Sequence, residues 1–173
     1  FLNDFARLQR ITARVGAVNS LGQTLLKLTV PGVPDTYQGN ELWDLSLVDP
    51  ENRRPLDYRL RTRMLGTLQR AVDRVNDSGV RTEDPPLRRL AHRLAEHWQD
   101  GRAKLFVTWR TLRYRCEHRE MFEHGTYLPL TVAGPREEHL LAFARELDVI
   151  DRDRPAAHQR TSRASNTGPS VQQ

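Results

Sequence analysis

Val30-Pro-Gly-Val-Pro-Asp-Thr-Tyr-Gln-Gly-Asn-Glu-Leu-Trp-Asp-Leu-Ser-Leu-Val-Asp-Pro-Glu-Asn-Arg-Arg-Pro-Leu-Asp57 decides how the rest of the chain is read. Pro31 and Pro34 fix φ at two points, Gly32 permits a tight reversal, and Gly39 lets the backbone turn again. Between these breaks Val33 to Gln38 reads as a buried strand, which delivers a long polar loop to a site. The loop runs to about Pro55 and carries an alternating charge set, Asp49, Arg53, Arg54 and Asp57.

On either side the apolar spacing is helical. Leu2, Phe5, Leu8, Ile11 and Val15 form one stripe with Gly16 as its C-terminal stop. Ser20 followed by Gln23 is a capping-box pattern that starts a second helix through Leu21, Leu25, Leu26 and Leu28. Downstream, Leu60, Met64, Leu65, Leu68, Val72 and Val75 predict an amphipathic helix over about 57–75 with Arg outside. Asn76-Asp-Ser-Gly79 and Asp84-Pro-Pro86 bracket a surface loop. Leu87, Leu90, Leu94 and Trp98 give the next helix, stopped at Asp100-Gly101. Leu105, Trp109, Leu112 and Cys116 line another over about 102–118. After Gly125 the period changes to two, so Tyr127–Val132 and His139–Arg145 read as strands joined through Gly134-Pro135. Arg152–Gln173 has one Val and no larger apolar residue, too little to offset its ordering entropy, and is expected to be disordered.

Composition excludes several classes. The net charge of +5 invites a nucleic-acid reading, but the positive charge is nearly all Arg, scattered among acids. An ion-paired helical surface explains that at least as well, so no nucleic-acid partner is expected. No apolar run approaches the roughly 20 residues of a membrane helix, and no membrane partner is expected. Asp4, Arg7 and Arg10 interrupt any signal-peptide core. Cys116 is single and the six histidines share no ligand spacing, so no metal or organic cofactor is expected. Cys116 reads as a small packed hydrophobe in a reducing cytoplasm. An opening on Phe1 and a polar close read as part of a longer soluble protein.

Pro31 to Glu41, in the pattern Pro-Gly-x-Pro-x-x-Tyr-x-Gly-x-Glu, resembles the eighth barrel strand of the α-amylase superfamily of glycoside hydrolases. Leu42 to Pro55 is similar to one family within it, the maltooligosyltrehalose synthases. Leu21–Thr29, Asp100–Val107 and Gly125–Leu130 extend the likeness to about Arg145. The fold implied is an α/β barrel fragment: the last helix and eighth strand of a (β/α)8 barrel, a mostly helical segment, then the first strands of a C-terminal β-domain. The implied divisions are residues 1–76 for the barrel end, 77–124 for a helical connection, 125–146 for the opening of the β-domain and 147–173 for a disordered tail.

The activity implied is a retaining intramolecular transfer, which turns the reducing-end α-1,4 linkage of a maltooligosaccharide into α,α-1,1. Such chemistry needs a carboxylate nucleophile and a protonated acid/base on one barrel face. In this superfamily both precede the eighth strand, so no catalytic residue is assigned within this chain, which alone is expected to be inactive. What remains is a substrate-binding wall of Asp35, Tyr37, Gln38, Glu41, Trp43, Arg53 and Arg54, since sugars favour aromatic platforms beside planar polar groups. Each has a plainer role open to it. Tyr37 and Trp43 can pack the loop on the barrel rim, Glu41 can hold the turn through backbone N–H groups, and the arginines can brace loop acids. Two rival readings are a trehalose-releasing hydrolase of the same superfamily and an Arg-rich nucleic-acid-binding module.

Overall fold

The computed structural model describes residues 1–46, 54–77 and 85–147. Helix α1 (Leu2–Thr29) is followed by an irregular segment, then α2 (Tyr58–Asp77), α3 (Pro85–Glu96), a 3₁₀ turn at Trp98–Asp100, α4 (Arg102–Glu117) and α5 (Arg119–His124). A hairpin of β1 (Thr126–Pro129) and β2 (Phe143–Glu146) closes the described chain, with a 3₁₀ turn at Glu137–His139 between its strands. The described residues are mostly helical with one two-stranded antiparallel sheet.

The core lies where α2, α3 and α4 meet. Leu68 and Val72, four residues apart on α2, face Leu90 and Leu94, four apart on α3, with Ala103 and Leu105 of α4 between them. Four-residue spacing places side chains above one another on a helix face, so each pair presents one ridge. Each fully buried Leu contributes about 1.5–3 kcal/mol of transfer free energy. Leu21 of α1 and Leu42 of the irregular segment pack onto this cluster, which ties the segment to the helices.

Several expectations are corrected. Gly16 does not stop a helix and Ser20 does not start one, because α1 is continuous through both. The Ser20 carbonyl accepts the Thr24 hydroxyl at 2.7 Å, as an interior turn does. Val33–Gln38 is not a β-strand and Val33 is 95% exposed. A strand needs a neighbour for its ladder, and the two strands described pair with each other. Both hairpin strands are shorter than the alternation suggests, and His139 sits in the 3₁₀ turn. On α4 the expected stripe holds in part: Leu105 is buried and Trp109 packs on the core, but Leu112 and Cys116 are exposed, while the polar Lys104, Thr108 and Thr111 are buried. Small hydroxyl side chains let α4 lie close against α1, its principal neighbour. The tail expected to be disordered lies outside the described residues.

The hairpin is docked through one side chain. Arg145 Nη2 lies within donating distance of the carbonyls of Met121 and Phe122 at 3.1 Å and of Gly125 at 3.0 Å, where α5 ends, and shares the Met121 carbonyl with the Gly125 N–H. A Cβ at Gly125 would sit 2.3 Å from the Met121 carbonyl oxygen and 2.6 Å from that of Glu146, so the close approach depends on glycine.

Candidate functional site

The segment after α1 is strapped down from two helices. Arg115 on α4 donates through Nη1 to the Leu28 carbonyl at 3.1 Å and through Nη2 to the Gly32 carbonyl at 2.8 Å. Lys27 Nζ donates to the Asp35 carbonyl at 3.1 Å. These are backbone contacts, so they set where the segment runs and leave the Asp35, Tyr37 and Gln38 side chains exposed.

The chain then turns at Gly39, whose φ of +94° favours glycine. Asn40 N donates to the Tyr37 carbonyl and Leu42 N to the Gly39 carbonyl, both at 3.3 Å. Glu41 holds the turn from inside: Oε2 accepts the Gly39 N–H at 3.0 Å. Its other oxygen, Oε1, accepts Arg61 Nε of α2 in a partly buried ion pair. Both carboxylate oxygens of Glu41 are therefore occupied by the fold of the loop itself.

Trp43 is pinned on three sides. Its Nε1 donates to the Trp98 carbonyl at 2.6 Å, its ring meets Trp98 edge-on at 6.1 Å and 77°, and Lys104 Nζ lies 5.6 Å from its centroid. Asp44 Oδ1 accepts the Ser46 N–H at 2.9 Å. Hydrogen bonds from Ser46, with help from the Arg54 and Lys104 charges, hold the exposed Asp44 carboxyl below its ordinary range. Arg54 Nη2 donates to Ser46 Oγ at 2.9 Å. Arg53 and Asp49 lie outside the described residues. Asp57 caps α2, its Oδ1 accepting the Leu60 N–H at 2.8 Å.

Gln38, Trp43, Asp44, Ser46, Arg54 and Arg61 line a groove of about 360 Å³. Asp35, Tyr37 and Glu41 do not line it; Glu41 lies behind, paired to Arg61. A larger open cleft of about 920 Å³ lies between α1 and the end of α3, away from this loop. The groove combines an indole, an amide, a carboxylate, a hydroxyl and two guanidinium groups, a set that both donates to and accepts from neutral hydroxyls. Among the described residues no group of three or more His, Cys, Asp or Glu could hold a metal ion, and no helix is long and apolar enough to cross a membrane.

Sequence reasoning passed over Tyr58, Arg61, Ser46, Trp98 and Lys104. Tyr58 OH donates to Gln38 Oε1 at 3.2 Å, linking the first residue of α2 to the groove. Only Lys104 carried a signal, as one of two lysines among 27 basic residues.

No family model matches the chain. Two proteins provisionally named maltooligosyl trehalose synthase, from Mycobacterium tuberculosis strains CDC 1551 / Oshkosh and ATCC 25618 / H37Rv, are each 41% identical to it over 132 residues. The match covers 76% of this chain and 13% of each relative. A crystal structure of maltooligosyl trehalose synthase superposes with a TM-score of 0.61 at 29% identity, over 84% of this chain and 17% of that one. The family resemblance read from the loop is thus borne out: the chain matches part of maltooligosyl trehalose synthases.

Proposed function

We propose, on the premise that this chain corresponds to a segment of a maltooligosyl trehalose synthase, that it supplies one wall of that enzyme's oligosaccharide site. The intact protein would convert the reducing-end α-1,4 glucosyl linkage of maltooligosaccharides to α,α-1,1, in the cytoplasm and without a cofactor. The observation that carries this reading is the groove built on the motif loop, with its indole and polar groups in the segment that matches the named relatives. In this reading α1 is the last barrel helix, and Val33–Gln38 becomes the eighth strand once neighbouring strands give it a ladder. Residues 77–124 connect to a β-domain that the hairpin opens.

Gln38, Trp43 and Arg54 face the sugar from the groove, Asp35, Tyr37 and Arg53 complete the wall on the strand and loop, and Glu41 shapes the turn. The catalytic carboxylates are supplied from outside the chain. In support, both Glu41 oxygens are engaged by Gly39 and Arg61, which leaves this acid unsuited to attack or protonate a sugar.

The test is to incubate maltopentaose with the intact protein that carries this segment, and separately with the 173-residue chain, then analyse the sugars. Trehalose-terminated product is expected from the first and none from the second. In the intact protein, Gln38→Ala lowers kcat/KM about ten- to a hundred-fold without lowering Tm, the scale of one hydrogen bond lost at a site. An intact protein that leaves maltopentaose unchanged overturns the reading.

A further inference from the structure

The chain has 27 basic residues, of which only Lys27 and Lys104 are lysines, and both stand at the root of the same loop. Lys27 reaches the Asp35 carbonyl. Lys104 is 8% exposed, and its ammonium lies over the Trp43 ring. Burial pushes its pKa down, the Lys27 charge adds to that, and Asp44 and Glu41 oppose it. Among the described residues, no acceptor hydrogen-bonds this ammonium.

Nζ is not one of the fully buried polar atoms that lack a partner, so the stem is buried while the ammonium still reaches solvent. A methionine of similar length fills the place of the stem and carries no charge. The cation acts on the groove from behind. Trp43 lines the groove and has spent its only N–H on Trp98.

We propose that Lys104 is a positioning residue for the groove, its ammonium holding the Trp43 ring in the pose that receives an oligosaccharide. The inference rests on the carbohydrate reading of the groove. With a neutral side chain behind it, the indole keeps its hydrogen bond and its edge contact with Trp98 but loses the attraction that fixes its face.

Lys104→Met in the intact protein tests this, with KM and kcat on maltopentaose, Tm, and fluorine NMR of fluorotryptophan at position 43. KM is expected to rise about tenfold, the scale of one desolvated cation–π contact. The kcat should change less than about twofold, as a loss of binding and not of chemistry requires. Tm stays or rises, and the position-43 resonance moves. An unchanged KM overturns the proposal. So does a raised KM with a lower Tm and an unmoved resonance, which marks a residue that only supports the fold. If the wild-type protein leaves maltopentaose unchanged, the carbohydrate reading fails separately and the resonance decides: unmoved in K104M, it overturns the positioning role, and shifted, it supports it.

Discussion

The helical core and the loop after α1 are held by opposite means. Leu68, Val72, Leu90, Leu94, Ala103 and Leu105 hold α2, α3 and α4 together by burial that has no direction and is shared over many contacts. The loop buries Gly39, and its place is set by a few directional bonds from Arg115, Lys27, Arg61 and Trp43. Burial tolerates small shifts, whereas a guanidinium bonded to a carbonyl does not. A groove that must present polar groups at fixed places is better built from the second kind of contact and anchored on the first, and Leu42 is the anchor.

Cutting into each side should separate them. The largest effect belongs to the core: Leu68→Ala should cost about 2–5 kcal/mol, read as a lower denaturant midpoint. Gly125→Ala comes next, because the added methyl meets two backbone oxygens. It should lose about 1–3 kcal/mol, and circular dichroism of the hairpin region should weaken before the helical signal does. Arg115→Met removes two donors from the strap and should cost about 1–3 kcal/mol. Its signature is local: amide exchange accelerates around Gly32 while Leu68 and Leu90 stay protected. Equal acceleration in both places would erase the contrast between loop and core.

The smallest effect is a pH dependence. The folded Asp44 pKa lies below its ordinary value of 3.8, through hydrogen bonding to Ser46. Its contribution is present above that ordinary value and lost as pH falls through the lowered one. Asp44→Asn should therefore lower stability slightly at neutral pH, leave the acid end unchanged, and so flatten the acid limb of a stability-versus-pH curve.

What was legible in the sequence divides along the same line. The stripes of α2 and α3 are visible because burial follows the 3.6-residue period. Gly16 misleads because one glycine costs a helix interior only about 1 kcal/mol relative to alanine, too little to break α1. On α4 the pattern finds Leu105 and Trp109 but not Lys104, Thr108 and Thr111, which are buried though polar. Val33–Gln38 has the look of a strand but is not one here, because a strand needs partners that local sequence does not report. The turn around Gly39 is readable, since Glu41 acts two residues away. Arg61 and Tyr58 act across 20 residues and Trp98 across 55, and no local spacing reports a bond that the fold creates.

Helix α1 has 28 residues and so runs about 42 Å. Leu28 near its C-terminal end is 1% exposed, while Phe1, Leu2, Phe5, Leu8, Ile11, Val15 and Val18 are each more than half exposed. Ala17 is buried and Leu21 packs on the core, so α1 is held from its middle to the end that carries the loop, where Arg115 clamps helix and loop together. The turns before Ala17 carry their apolar side chains in the open, cantilevered from that anchored half.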